Sequence, residues 1–66
     1  MKVRIIPGGE ERIVDIKGRI KVKEILGKLG LSPEGYVVTR NGEILTEEDL
    51  VDENDVLEVY RVVSGG

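Results

Sequence analysis

The hydrophobic pattern of the chain changes period once. From Met1 to Ile6 it alternates, with Val3 and Ile5 on one side and Lys2 and Arg4 on the other, which predicts a β-strand. Alternation returns over Arg12–Lys17, where Val14 and Ile16 share a face. Pro7-Gly8-Gly9 stands between the two runs. Pro presets φ and Gly accepts positive φ, so an antiparallel hairpin is expected. After Gly18 the period lengthens. Val22, Ile25, Leu26 and Leu29 fall at i, i+3, i+4 and i+7, one stripe down a helix from about Lys21 to Leu29. Gly30 is its expected C-cap. No Ser, Thr, Asp or Asn opens it, so the N-cap stays unassigned. Ser32-Pro33-Glu34 reads as a capped single turn, with Pro at a position that tolerates it.

Tyr36–Arg40 reads as a third strand, closed by Asn41-Gly42, a strong hairpin signal, with Glu43-Ile44-Leu45 as the short returning strand. Thr46-Glu47-Glu48-Asp49 resembles a capping box opening one helical turn, for which Leu50 and Val51 would supply the apolar contacts. Asp52-Glu53-Asn54-Asp55 then turns the chain into its longest strand-like run, Val56 to Val63. Leu57 and Val59 share one face of that run with Arg61 and Val63. Val56, Glu58, Tyr60 and Val62 share the other. The expected core is therefore Val3, Ile5, Val14, Ile16, Val22, Ile25, Leu26, Leu29, Leu57 and Val59. One amphipathic helix cannot cover itself, so it must lie across a sheet built from all the strands, the first and last of them near the middle. The expected class is α+β: a β-grasp, with a mixed sheet of four to five strands packed on one helix and the far face of the sheet open.

Composition narrows the chemistry. The chain has 66 residues and no Cys or His. That excludes disulfides, thiolate or imidazole metal sites, and the usual activated nucleophile and base. The acidic turn at Asp52–Asp55 lacks a calcium loop's ligand spacing, because Val56 and Leu57 occupy a ligand position and the glycine position. The Pro7-Gly8-Gly9 turn has neither the following helix nor the Lys-Ser/Thr of a phosphate loop. High charge with no Gln and only two Asn matches the composition of hyperthermophile proteins. No run is long enough to span a membrane and no signal-peptide pattern is present, so a cytoplasmic protein is expected. Charge is uneven: residues 1–33 carry eight bases against four acids, net +4, and residues 34–66 two against nine, net −7. Such poles suit either steering toward a protein partner or two solvated faces.

The run from Val56 ends in Ser64-Gly65-Gly66. Two glycines have no side chain to pack and the highest backbone entropy, so residues 1–63 are expected to form the domain and 64–66 a mobile tail. A thin tail on a core strand can deliver the α-carboxylate of Gly66 far from the body.

Taken together, Asn41-Gly42-Glu43-Ile44, the acidic turn, Val56-Leu57-Glu58-Val59 and Val63-Ser64-Gly65-Gly66 resemble the ubiquitin-like sulfur carriers. These comprise the carriers of thiazole and molybdopterin synthesis, the related archaeal modifiers and the tRNA-thiolation carriers. The short chain and Asn-Gly-Glu favour the thiazole type. The resemblance implies a protein that is a carrier and substrate, with no catalytic residue, metal or bound cofactor of its own. An adenylating enzyme would use ATP and magnesium to activate Gly66. A sulfur donor would convert it to a thiocarboxylate, and a synthase or thiolase would accept the sulfur. Ser64 and Gly65 would form the tail that enters the partner, and Tyr60, Arg61, Val62 and Val63 would meet it. Two alternatives remain open. In one, the same terminus is conjugated to target-protein lysines. In the other, a non-covalent β-grasp module binds RNA through Lys17, Arg19, Lys21, Lys23 and Lys28. A nucleic-acid partner is disfavoured because only Tyr36 and Tyr60 could stack on bases.

Overall fold

The computed structural model describes residues 1–62. The elements are β1 (Lys2–Ile6), β2 (Glu10–Ile13), β3 (Arg19–Lys21), α1 (Val22–Leu29), a 3-10 turn (Pro33–Gly35), β4 (Tyr36–Arg40), β5 (Glu43–Leu45), β6 (Leu50–Asp52) and β7 (Val56–Arg61). Five strands form a mixed sheet in the order β2-β1-β7-β4-β5, and β3 and β6 form a separate antiparallel pair. The sheet carries one helix, the β-grasp arrangement expected from the pattern.

β7 lies at the centre of the sheet because it is the chain's longest strand and is apolar enough to be flanked on both sides. It runs parallel to β1, with Val3 opposite Leu57 and Ile5 opposite Val59, and antiparallel to β4, with Val38 opposite Val59. Side chains alternate across the pleat, so Val3, Val38, Leu57 and Val59 all point to the helix side. There they meet Val22, Ile25 and Leu26 of α1, together with Val14, Ile16 and Val51, in one buried cluster. Ile5 and Leu29, also expected in the core, are only half-buried; Leu29 packs against the cluster's rim. Val38 and Val51 join the core although their strands gave no periodic signal long enough to assign them.

Three expected elements are corrected. The second strand occupies Glu10–Ile13 instead of Arg12–Lys17. After Ile13 the chain leaves the sheet, and Val14 is held by reciprocal hydrogen bonds with Met1 (2.9 and 3.1 Å) while it and Ile16 turn into the core. The turn at Thr46 does not open a helix. Asp49 Oδ2 accepts from the Thr46 N–H at 2.7 Å, half of a capping box, but the chain extends at Leu50 to pair with β3. Consequently Val51 is buried and Leu50 half-exposed. The last strand ends at Arg61, short of Val63.

Two turns are set by backbone conformation. Asn41 and Gly42 both have positive φ (53° and 82°), the geometry a two-residue hairpin loop requires. Gly30 closes α1 at φ 74°, with its own N–H donating to Gly27 O and the Leu31 N–H to Leu26 O. The opening of α1 is capped from a distance: the Val22 N–H donates to Asp49 O (2.9 Å) and the Lys23 N–H to Glu47 O (3.1 Å). Glu24 reaches back to the Lys21 N–H. No helix of the described residues is long and apolar enough to cross a membrane.

Candidate functional site

The candidate site is the end of β7 and the sheet surface around it. Because β1 is parallel to β7, the end of β1 lies beside the end of β7, with Ile6 in register with Tyr60. On the other side Val37 of β4 stands opposite Tyr60 and Tyr36 opposite Arg61. Tyr60 has the opposite parity to the fully buried Leu57 and Val59, which turns it onto the open face, 37% exposed. Ile6, Tyr60 and Val37 thus form one row across three strands. Ile6 and Val37 were not among the sequence-derived site residues. Each lies on a short strand whose own pattern does not say which strand will be its neighbour.

Next along the open face comes a charged row, Glu11, Arg4 and Glu58, continued by Thr39 and Ile44 on β4 and β5. Glu11 takes the Arg4 guanidinium at 3.2 Å and the Lys2 ammonium at 3.7 Å, and these cations hold its carboxyl below the usual range. The ion pairs of Glu11 with Arg4 and Lys2 are solvated and contribute little stability, whereas Thr39 in the same row is buried. The effect of the pairs is to leave a locally balanced charge beside an apolar row. Ile44 is 73% exposed at the edge of this surface.

Of the expected site residues, Tyr60 and Arg61 end β7 and Val62 follows directly after it, and all three are exposed. The Val62 N–H donates to the carbonyl of Gly35 at 2.9 Å, which ties the strand's end to the 3-10 turn. Val63, Ser64, Gly65 and Gly66 lie outside the described residues, and with them the expected tail and its carboxylate.

Several charged side chains of the acidic turn and the basic run are engaged in the structure's own contacts. In the acidic turn Asp55 Oδ2 accepts from the Asp52 N–H (2.8 Å) and from Arg40 (2.9 Å), while Asp52 Oδ1 accepts from the Asn54 N–H (3.0 Å). Among the described residues no three Asp, Glu, His or Cys side chains are grouped to hold a metal ion. In the basic run, Lys21 and Lys23 both pair with Glu48, at 3.1 and 2.9 Å. Glu48 in turn raises the Lys23 ammonium's pKa, and its own carboxyl is lowered by Lys23 and then Lys21. These two lysines fasten the start of α1 to the Thr46–Asp49 turn.

Comparison with known proteins agrees with this geometry. The model of the ThiS family matches residues 2–66. The sulfur carrier protein TtuB of Thermus thermophilus is 47% identical over 57 residues, covering 86% of this chain and 88% of that protein. The crystal structure of a thiamine biosynthesis protein (ThiS) from Geobacter metallireducens superposes with a TM-score of 0.65 at 27% identity, covering both chains fully. A solution structure of a thiamine biosynthesis protein from the same organism superposes with a TM-score of 0.61, also at 27% identity, covering all of this chain and 88% of that one. The chain therefore belongs to the ThiS family of ubiquitin-like sulfur carriers.

Proposed function

We propose that this protein carries sulfur on the α-carboxylate of Gly66. The observation that carries the reading is the placement of β7. The strand at the centre of the sheet runs, through Tyr60-Arg61-Val62, to within four residues of Gly66. A terminus mounted on the central strand can be presented at a defined place while its last residues enter a partner.

A carboxylate is a poor acyl donor at neutral pH. An adenylating enzyme with ATP and magnesium would convert it to an acyl-adenylate and release pyrophosphate. A persulfide sulfur would then displace AMP to give an acyl disulfide, and a second thiol would reduce that bond, leaving the thiocarboxylate. Gly65 and Gly66 contribute by having no Cβ to obstruct a narrow channel. The protein supplies the reacting group and the docking surface, and the partner supplies the catalysis. Identity of 47% to TtuB, against 27% to the Geobacter thiamine biosynthesis proteins, supports a TtuB-like sulfur acceptor over a thiazole synthase.

The test is incubation with ATP, magnesium, an adenylating enzyme of the source organism and a sulfur donor, followed by intact-mass measurement. The expected product is heavier by the difference between sulfur and oxygen. Deleting Gly66, or adding a residue after it, abolishes the gain and leaves the amide exchange of Leu57 and Val59 unchanged. Equal modification of the truncated protein would move the site away from Gly66. Mass appearing on a target-protein lysine instead of a thiocarboxylate would replace carrier by modifier. Supplying a thiazole synthase, a molybdopterin synthase subunit or a tRNA thiolase to the loaded protein distinguishes the acceptors.

A further inference from the structure

The 3-10 turn Pro33–Gly35 stands between α1 and the end of β7. On one side it is tied to α1: the Leu31 N–H donates to Leu26 O at 2.8 Å across the helix C-cap, and the Gly35 N–H donates to Ser32 O at 3.0 Å to close the turn. On the other side the Gly35 carbonyl accepts from the Val62 N–H at 2.9 Å, one residue past the end of β7 and one before the start of β4. Backbone hydrogen bonds and a short Pro-restricted segment therefore join the helix to the strand's exit. Val62 itself is 47% exposed, so at this point the side chain contributes little burial and the backbone bond is the anchor.

We propose that Gly35 and Val62 form a clamp that sets where the last four residues leave the body and so positions the Gly66 carboxylate for adenylation. This rests on the Gly66 reading above. Four extended residues span at most about 14 Å. An anchor at Val62 confines Gly66 to that reach. Loss of the anchor adds at least one residue of freedom that the partner must then order. Fixing one residue's backbone costs enough to slow a reaction that depends on it by about 5- to 30-fold. Gly35 is the positioning residue through its carbonyl, and it touches no reacting atom.

Val62→Pro removes the donor at a residue expected to face the partner, and Pro33→Gly, which alters no partner-facing residue, separately loosens the acceptor's turn. Both are assayed for adenylation of Gly66, with amide exchange of Leu57 and Val59 as the check that the sheet is intact. Val62→Pro is expected to lower kcat/KM by about 5- to 30-fold. Pro33→Gly is expected to lower it in the same direction, with the loss in kcat and KM unchanged. The double variant should lose no more than Val62→Pro alone, because the two changes open one clamp. Val62→Pro reacting at the wild-type rate, or losses that multiply in the double variant, would overturn the clamp while the Gly66 reading stands. A wild-type protein that no adenylating enzyme modifies would overturn the Gly66 reading, and the clamp's role with it.

Discussion

Asp55 shows how a single side chain acquires its role from its neighbours. Its carboxylate accepts from the Asp52 N–H and from Arg40 on β4, and thereby pins the acidic turn to the sheet. The backbone bond from Asp52, and after it the Arg40 guanidinium, hold its pKa below the ordinary value against the opposing effect of burial. A carboxyl whose folded pKa is depressed stabilises the fold above its unfolded pKa of about 3.9, and that contribution is lost as pH falls through the folded value. Asp55→Asn should therefore cost about 1 kcal/mol at pH 7, a charged hydrogen bond discounted for partial exposure. The difference from wild type should narrow below about pH 4. Urea unfolding of both proteins across pH 2–7 checks this, and a deficit that is the same at both ends would assign the effect to shape instead of charge. The sequence identifies the turn from Asp52-Glu53-Asn54-Asp55 but not the bond to Arg40, which lies fifteen residues away along the chain.

At the scale of elements, α1 was legible from its stripe and its Gly30 C-cap, and its N-terminus was not. The reason is physical. The first helical N–H groups need acceptors, and here the carbonyls of Asp49 and Glu47 provide them from a turn more than twenty residues later. That turn is closed by Asp49 Oδ2 on the Thr46 N–H, and Glu48 binds both Lys21 and Lys23 across the same junction. Asp49→Ala keeps the capping carbonyl but frees the turn that aims it. Stability should fall by about 1 kcal/mol, the size of a lost helix cap. Amide exchange at Val22 and Lys23 should quicken more than at Leu26. Uniform quickening along α1 would show that the turn does not act as a cap. The strands β3 and β6 escaped detection for a related reason. Each has three residues, too few to show a period, and both exist because Ile20 and Val51 face each other across the pairing.

For the whole molecule, the arrangement of the sheet decides which residues a partner can reach. Leu57 and Val59 are sealed beneath α1, and Tyr60 comes up between Ile6 and Val37 on the open face next to the exit of the chain. An amphipathic aromatic within a half-buried apolar row on an open sheet face is a natural interface anchor. Tyr60→Ala is expected to weaken binding to the adenylating enzyme at least tenfold, on the order of a hot-spot truncation, with the unfolding midpoint nearly unchanged. Calorimetry with the enzyme measures it, and an unchanged affinity would exclude Tyr60 from the interface. The uneven charge of the two halves of the sequence does not survive as a simple division. Lys21 and Lys23 from the basic half pair with Glu48 from the acidic half, and β1 lies directly against β7.

Local periodicity by itself determined the helix stripe, the alternation of β1 and β7, and the burial of Leu57 and Val59, and the Asn41-Gly42 pair determined the hairpin of β4 and β5. Each of these depends on residues within a few positions of one another, where the pleat or the helical turn dictates which side a side chain takes. The lack of Cys and His, equally local, bounded the chemistry. Only the tertiary structure decided that Ile13 ends its strand, that Leu50 stays exposed while Val51 is buried, and that Glu47 and Asp49 cap α1. It also decided that Ile6, Tyr60 and Val37 form one row and that Gly35 holds Val62. Those outcomes join residues up to 54 positions apart in sequence, such as Ile6 and Tyr60. They are selected by what the whole core can bury and which backbone groups still need partners once it has formed.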